Sequence, residues 1–295
     1  MARIAVPLVC TWLAFSAASG RDMAGSVDAH APGGQPPSSS QSRRASVSLI
    51  ADTNTPEPGK PFLLGIHFEL SGNWHIYWNG MNDSGRAPTI KLQLPAGWKH
   101  AQVQWPVPKR HVVADIVLDH VYEKQVTLLV EVTPGPDRIT DPAVIKADLT
   151  YMICDEMCEI ERAQASLTLD PHAPSRADGS KDTISAAQAR LPRPLSQAAR
   201  DGFTIERLVQ ASADGSGVEK AGFKIAGAAE VELYPALETP TIQGLLRSGS
   251  VKGDAVIVEF ETPIEDPRLK ANPLLGGVLS IVPNGGKPRV YYSID

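Results

Sequence analysis

The sequence predicts an all-β protein: a β-sandwich over residues 45–170, followed by a second, smaller β-sandwich over residues 201–295. Three observations carry this. Short runs rich in β-branched and aromatic residues recur along the chain, roughly seven of them in the first ~125 residues of the folded part. Clusters of proline, glycine, asparagine and aspartate separate them. A 3.6-residue apolar period, the mark of amphipathic helices, is almost absent.

The strands follow in order. SVSLIA (46–51) alternates, TPEPGKP turns the chain, and FLLGIHFEL (62–70) resumes the alternation. WHIYW (74–78), VQWPVP (103–108), VTLLVEV (126–132), IKADLTYMI (145–153) and AQASLTL (163–169) complete the first set, with NDSG, LPAG and TPGPD as turns. Residues 171–200 are polar and carry Pro171, Pro174, Pro192 and Pro194, so they read as a linker in which SAAQARL (185–191) forms a short helix. FTIERLVQA, GFKIAG, AEVELYP, AVIVEFET, GVLSIV and RVYYSI then repeat the β theme. LKANPLLGG reads as a loop.

The first twenty residues set the compartment. Arg3 precedes an apolar run from Ile4 to Phe15, and small residues follow from Ser16 to Gly20. That is the layout of a secretory signal peptide (1–20), and the run is shorter than the ~20 residues a membrane span requires. Cleavage after Ala18 or Gly20 would remove Cys10; Val9 is too bulky for a lipoprotein site. Residues 21–44, small, polar and proline-rich, read as a disordered tail. No later run is long enough to span a membrane, so the mature chain is expected to be exported and not membrane-spanning. The formal charge is −5 with no basic patch, which argues against a nucleic-acid partner.

Export leaves two cysteines, Cys154 and Cys158, in YMICDEMCEIE (151–161). In an oxidising compartment neighbouring thiols pair. On a straight strand residues four apart lie about 13 Å apart, whereas a disulfide needs Cα atoms within about 7 Å. The chain must bend, through a helical turn or a hairpin. The strand-like flanks favour a hairpin with Asp155, Glu156 and Met157 as its loop. A ring this small constrains the unfolded chain little: a 15-residue loop contributes about 3 kcal/mol, and a shorter one less. A turn-borne bridge is also open to a partner, and exposed disulfides are the labile ones. A redox role, a structural role and a metal-binding role are all open at this point. Asp155, Glu156, Glu159 and Glu161 ring the pair, with Arg162 the nearest base in sequence. Acidic neighbours disfavour a thiolate, so the pair suits being attacked as a disulfide better than attacking unprompted.

Alternation in WHIYW puts Trp74, Ile76 and Trp78 on one face, for the core, and His75 and Tyr77 on the other. Tyr77 is the candidate to shield the disulfide. Asp83, Ser84 and Gly85 form a turn, or a loop capping the cysteines. Met152, Cys154, Met157 and Cys158 make a soft-ligand cluster suited to Cu(I), though methionine is more often packing filler; zinc wants four ligands. Neither a hydrolase nucleophile motif nor a phosphate-binding glycine loop occurs, and no cofactor is called for.

NWHIYWNGMNDSG (73–85), LPAGW (94–98), WPVPKR (105–110), YEKQVTLLVEV (122–132) and LTYMICDEMCEIERAQASLTL (149–169) together resemble, in order, the signatures of the N-terminal periplasmic domain family of the thiol:disulfide interchange protein DsbD. The variants related to the suppressor-of-copper-sensitivity protein ScsB are the most similar. The resemblance implies an immunoglobulin-like fold for residues 45–170 and Cys154 and Cys158 as the reactive pair. It implies partners too: a membrane-embedded electron carrier and thioredoxin-like proteins of the periplasm. Residues 201–295 resemble the extra sandwich of longer members. Two departures stand out: Glu159-Ile160 replaces the family's proline after the second cysteine, and VLDHV replaces the glycine-tyrosine pair before Tyr122-Glu123. Either separate proteins supply the membrane and thioredoxin-like parts, or the module serves another use.

The function expected is thiol–disulfide interchange. A partner thiolate attacks one sulfur, a mixed disulfide forms and is resolved, and the dithiol reduces a client. Cys154 and Cys158 carry the chemistry; Tyr77, Asp83, Ser84, Asp155 and Glu156 are the candidate binding residues. The alternative is an exported, non-catalytic binding module with a structural bridge, holding copper when reduced.

Overall fold

The computed structural model describes residues 39–137, 140–172, 179–237, 239, 242, 250–264 and 275–294. The signal-peptide stretch, Cys10, residues 21–38 and most of LKANPLLGG lie outside them.

The first eleven strands are β1 (Ser40–Gln41), β2 (Ala45–Ala51), β3 (Phe62–Leu70), β4 (His75–Tyr77), β5 (Thr89–Gln93), β6 (Lys99–His100), β7 (Lys109–Val113), β8 (Val117–Glu123), β9 (Gln125–Thr133), β10 (Ala143–Cys154) and β11 (Cys158–Leu169). They build two sheets, ordered β1-β2-β3-β9-β6 and β11-β10-β4-β8-β7, with β5 also on β10. Alternation decides the layers. In β2 every second residue is buried, and Val47, Leu49, Leu64, Ile66, Phe68 and Leu128 of one sheet meet Ile76, Ile145, Leu149, Tyr151 and Ile153 of the other. Each such side chain contributes about 1.5–3 kcal/mol by leaving water. Phe68 and Tyr151 meet edge-on at 5.4 Å across the layers.

Next come α1 (Ser180–Gln188), β12 (Arg193–Pro194), β13 (Thr204–Ala211), β14 (Val218–Ala226), β15 (Ala228–Pro235), β16 (Ser250–Lys252), β17 (Ala255–Ile264), β18 (Gly277–Pro283) and β19 (Val290–Ile294). These strands form sheets β12-β19-β18-β15-β16 and β13-β14-β17 around Phe223, Val231, Val256, Leu279 and Tyr292. The protein is thus all-β, with immunoglobulin-like sandwiches. Tyr234 and Val278 of the second set reach into the first core.

Three expectations change. VQWPVP forms no strand; Gln104 alone bridges to Leu129, because Pro106 and Pro108 have no N–H to donate. The tail expected to run to residue 44 is ordered earlier: Ser40–Gln41 pairs with β2. The described part of the linker, residues 179–200, is also more ordered than its prolines suggest. Its helix starts at Ser180, and Ile184 and Ala187 are buried with Leu129.

Candidate functional site

The strands β10 and β11 pair in unbroken register from Ala143↔Leu169 to Cys154↔Cys158. Cys154 and Cys158 therefore face each other across the hairpin neck, with Asp155, Glu156 and Met157 as the loop. Their sulfurs are bonded at 2.03 Å, with Cα atoms 4.1 Å apart. The two ends of the bridge differ. Cys154 is 2% exposed, whereas Cys158 is open to solvent. Met157 and Ile160, on either side of Cys158, are 70% and 69% exposed.

Cys154 lies opposite His75 of β4. Alternation along this three-residue strand buries Ile76 in the core and turns His75 and Tyr77 to the cysteine face. Tyr77, Val121 and Cys154 form one small buried cluster, with Met152 against it. The Tyr77 hydroxyl donates to Sγ of Cys154 at 2.9 Å and lies 3.8 Å from Sγ of Cys158. Burial pushes the phenol above its ordinary pKa, so it stays a donor.

The segment after β4 folds back over Tyr77. Ser84 Oγ stands 3.4 Å from the Tyr77 hydroxyl and donates to Asp119 Oδ2 at 2.5 Å, while the Ser84 N–H donates to Asp119 Oδ1 at 2.9 Å. Asp83 Oδ2 accepts the Leu118 N–H at 2.7 Å, and Asn82 Oδ1 accepts the His120 N–H at 2.7 Å. Gly85 lies flat on the Tyr77 ring: a Cβ there would stand 2.0 Å from a ring carbon. Gly80 does the same against Trp78, at 1.9 Å. The turn expected at 83–85 is also a cap on Tyr77.

The acid ring is less negative than the sequence suggests. Arg44, distant in sequence, bonds Glu159 Oε1 at 2.5 Å and Glu161 Oε1 at 3.0 Å, and its guanidinium stacks over Trp74 at 4.9 Å. Glu161 also accepts the Tyr151 hydroxyl at 2.9 Å. Asp155 and Glu156 are exposed on the loop. Histidines missing near the cysteines in sequence are supplied by topology. The His75 ring lies 5.5 Å from that of Tyr77 and 4.9 Å from that of His111. Burial and then His111 hold the His75 pKa below its usual value. Among the described residues, no group of three or more His, Cys, Asp or Glu side chains is arranged to hold a metal ion.

Sequence reasoning placed His75 on the face of Tyr77 but missed Arg44, His111 and Asp119. The first sat in a stretch read as tail; the others reach the site only through strand pairing that no local spacing encodes.

The class these features define is an immunoglobulin-like sandwich carrying a disulfide at the neck of an exposed hairpin. Residues 47–170 match the family described as thiol:disulfide interchange protein DsbD, N-terminal, and form a DsbD N-terminal-like domain. The crystal structure of the N-terminal periplasmic domain of ScsB from Proteus mirabilis is similar over 86% of this chain and 94% of its own length, with a TM-score of 0.52 and 19% identity. That likeness is one of fold. No curated protein matches the chain. No helix of the described residues is long and apolar enough to cross a membrane.

Proposed function

We propose that the protein relays reducing equivalents by thiol–disulfide interchange through Cys154 and Cys158, in the periplasm. The observation that carries this is the asymmetry of the bridge: Cys158 is an exposed residue at a hairpin tip, and Cys154 is buried under a tyrosine hydroxyl. A partner's thiolate attacks Sγ of Cys158, the S–S bond breaks, and Cys154 leaves as a thiolate at the Tyr77 hydroxyl. A second partner thiol then attacks the mixed disulfide, releasing Cys158; the partner is oxidised and this chain holds the dithiol. Cys158 next attacks a client disulfide, and Cys154 resolves the product. Met157 and Ile160 give the partner an apolar landing beside Cys158. Asp83 and Ser84 hold the cap on Tyr77, and exposed Asp155 and Glu156 meet the partner's rim.

The donor fitted to this site is a membrane-embedded electron carrier or a thioredoxin-like protein. The test is trapping in intact cells. Cys154→Ala, which leaves Cys158 free, is expected to accumulate mixed disulfides with other proteins; Cys158→Ala is expected to accumulate far fewer, because Cys154 is buried. Failure of both to capture a second protein would overturn the proposal.

A further inference from the structure

The second sandwich touches the segment that caps Tyr77. Trp78 follows Tyr77 directly, and its ring packs 6.4 Å from that of Tyr234 in β15. Three residues on, the Met81 N–H donates to the Pro235 carbonyl at 2.9 Å, and the Met81 side chain packs against the second core. The Met81 carbonyl accepts from His120 Nδ1 at 2.8 Å. A carbonyl can only accept, so Nδ1 carries the proton. The ring of His120 packs 5.0 Å from Tyr234. It is fully buried, and its Nε2 has no hydrogen-bond partner among the described residues.

A charged network locks Tyr234 in place. Its hydroxyl donates to Glu232 Oε2 at 3.0 Å. Glu232 is also bonded by Arg110 of the first sandwich at 3.1 Å and by Arg289 at 3.2 Å. Glu232 is only 7% exposed, and a buried carboxylate is retained only where cations and donors satisfy it. From this anchor the chain runs back through Asn82, Asp83 and Ser84, each bonded to β8 or the residues beside it, to the Tyr77 hydroxyl. The cap has one end on Tyr77, which touches the disulfide, and its middle on the other sandwich.

We propose that the second sandwich is a positioning platform for the disulfide: Tyr234 and Pro235, gripping Trp78 and Met81, hold the Trp78–Gly85 cap so that the Tyr77 hydroxyl stays on Cys154. This rests on the interchange reading for its biological meaning, but not for its test. Tyr234, Met81 and Arg110 are positioning residues; none touches the sulfurs.

The experiment follows reduction of the full chain's disulfide by glutathione. One glutathione thiolate attacks Cys158 and displaces Cys154; a second completes the reduction, leaving the dithiol and glutathione disulfide. Tyr234→Leu keeps apolar bulk but removes the ring and hydroxyl. It is expected to slow the reaction about three- to tenfold, within the range of coupling carried by packed networks. In a Tyr77→Phe background the same change is expected to add less than about twofold, because the group it acts through is gone. A rate equal to that of the parent, or the same slowing in both backgrounds, overturns the proposal. Should Tyr234→Leu fail to fold by far-ultraviolet circular dichroism, Arg110→Gln is carried through the same cycle: slowing confined to the Tyr77 background supports the proposal, and no slowing, or equal slowing in both, overturns it. Failure of cellular trapping would sink the interchange reading and leave this cycle untouched.

Discussion

The Tyr77 hydroxyl donates a hydrogen bond to Sγ of Cys154 at 2.9 Å, on the buried side of the disulfide. When Cys158 is attacked, negative charge grows on the sulfur this hydroxyl touches. Donors aimed at developing charge in a dry site lower the barrier. Tyr77→Phe keeps the ring and its shielding but removes the donor. It is expected to slow reduction by glutathione about tenfold, the worth of one charge-assisted hydrogen bond. Stopped-flow or quenched kinetics would show it; an unchanged or faster rate would mean the tyrosine only shields.

Gly85→Ala is expected to disturb the same site from the other side of the ring. The added Cβ would stand 2.0 Å from a Tyr77 ring carbon, and the ring is held between the cap and Cys154. Overpacking of this kind costs about 1–3 kcal/mol. The urea midpoint is expected to fall accordingly, with the denaturant slope unchanged.

Arg44→Gln would free two carboxylates beside Cys158. Arg44 and Glu159 are both partly exposed, so the stability cost is small, about 1 kcal/mol or less. The larger effect falls on an anionic attacker. Reduction by glutathione is expected to slow about two- to fivefold at low ionic strength, and the gap to close in ~0.5 M salt. A gap insensitive to salt would point to altered packing over Trp74 instead.

Much of this arrangement was legible in the sequence, and the rest was not, for identifiable reasons. Alternation in FLLGIHFEL and in residues 145–153 placed the core faces, since one period of two suffices for a half-buried strand. The hairpin between Cys154 and Cys158 followed from the reach of the chain. The strands at 109–113 and 117–123 carry His111, Asp119 and charged neighbours that blur the alternation, so they were not seen. With them went the histidine beside His75 and the carboxylate that holds Ser84. Arg44 was hidden by a low-complexity neighbourhood, although its partners lie more than a hundred residues away. Prolines at 106 and 108 turned an apparent strand into an extended crossing.

His120 makes the junction between the sandwiches acid-sensitive. Burial pulls its pKa from 6.5 to about 4. The folded state therefore keeps it neutral while the unfolded chain takes up a proton below about pH 6.5. Protons favour the unfolded state in this window, so stability is lost as pH falls from about 6.5 to about 4. The shift corresponds to at most about 3 kcal/mol. His67 and His75, also held low by burial, add with the same sign. His120→Gln is expected to flatten the fall in melting temperature across this range. An equally steep fall in the variant would assign it to other groups.

The reduction potential of the Cys154–Cys158 couple, measured on the folded chain in glutathione redox buffers, tests the central claim most directly. A relay bridge open at Cys158 is expected to equilibrate with glutathione, above roughly −300 mV. A couple lying below that value, still closed in fully reducing buffer, would make the bridge a structural staple and contradict the account.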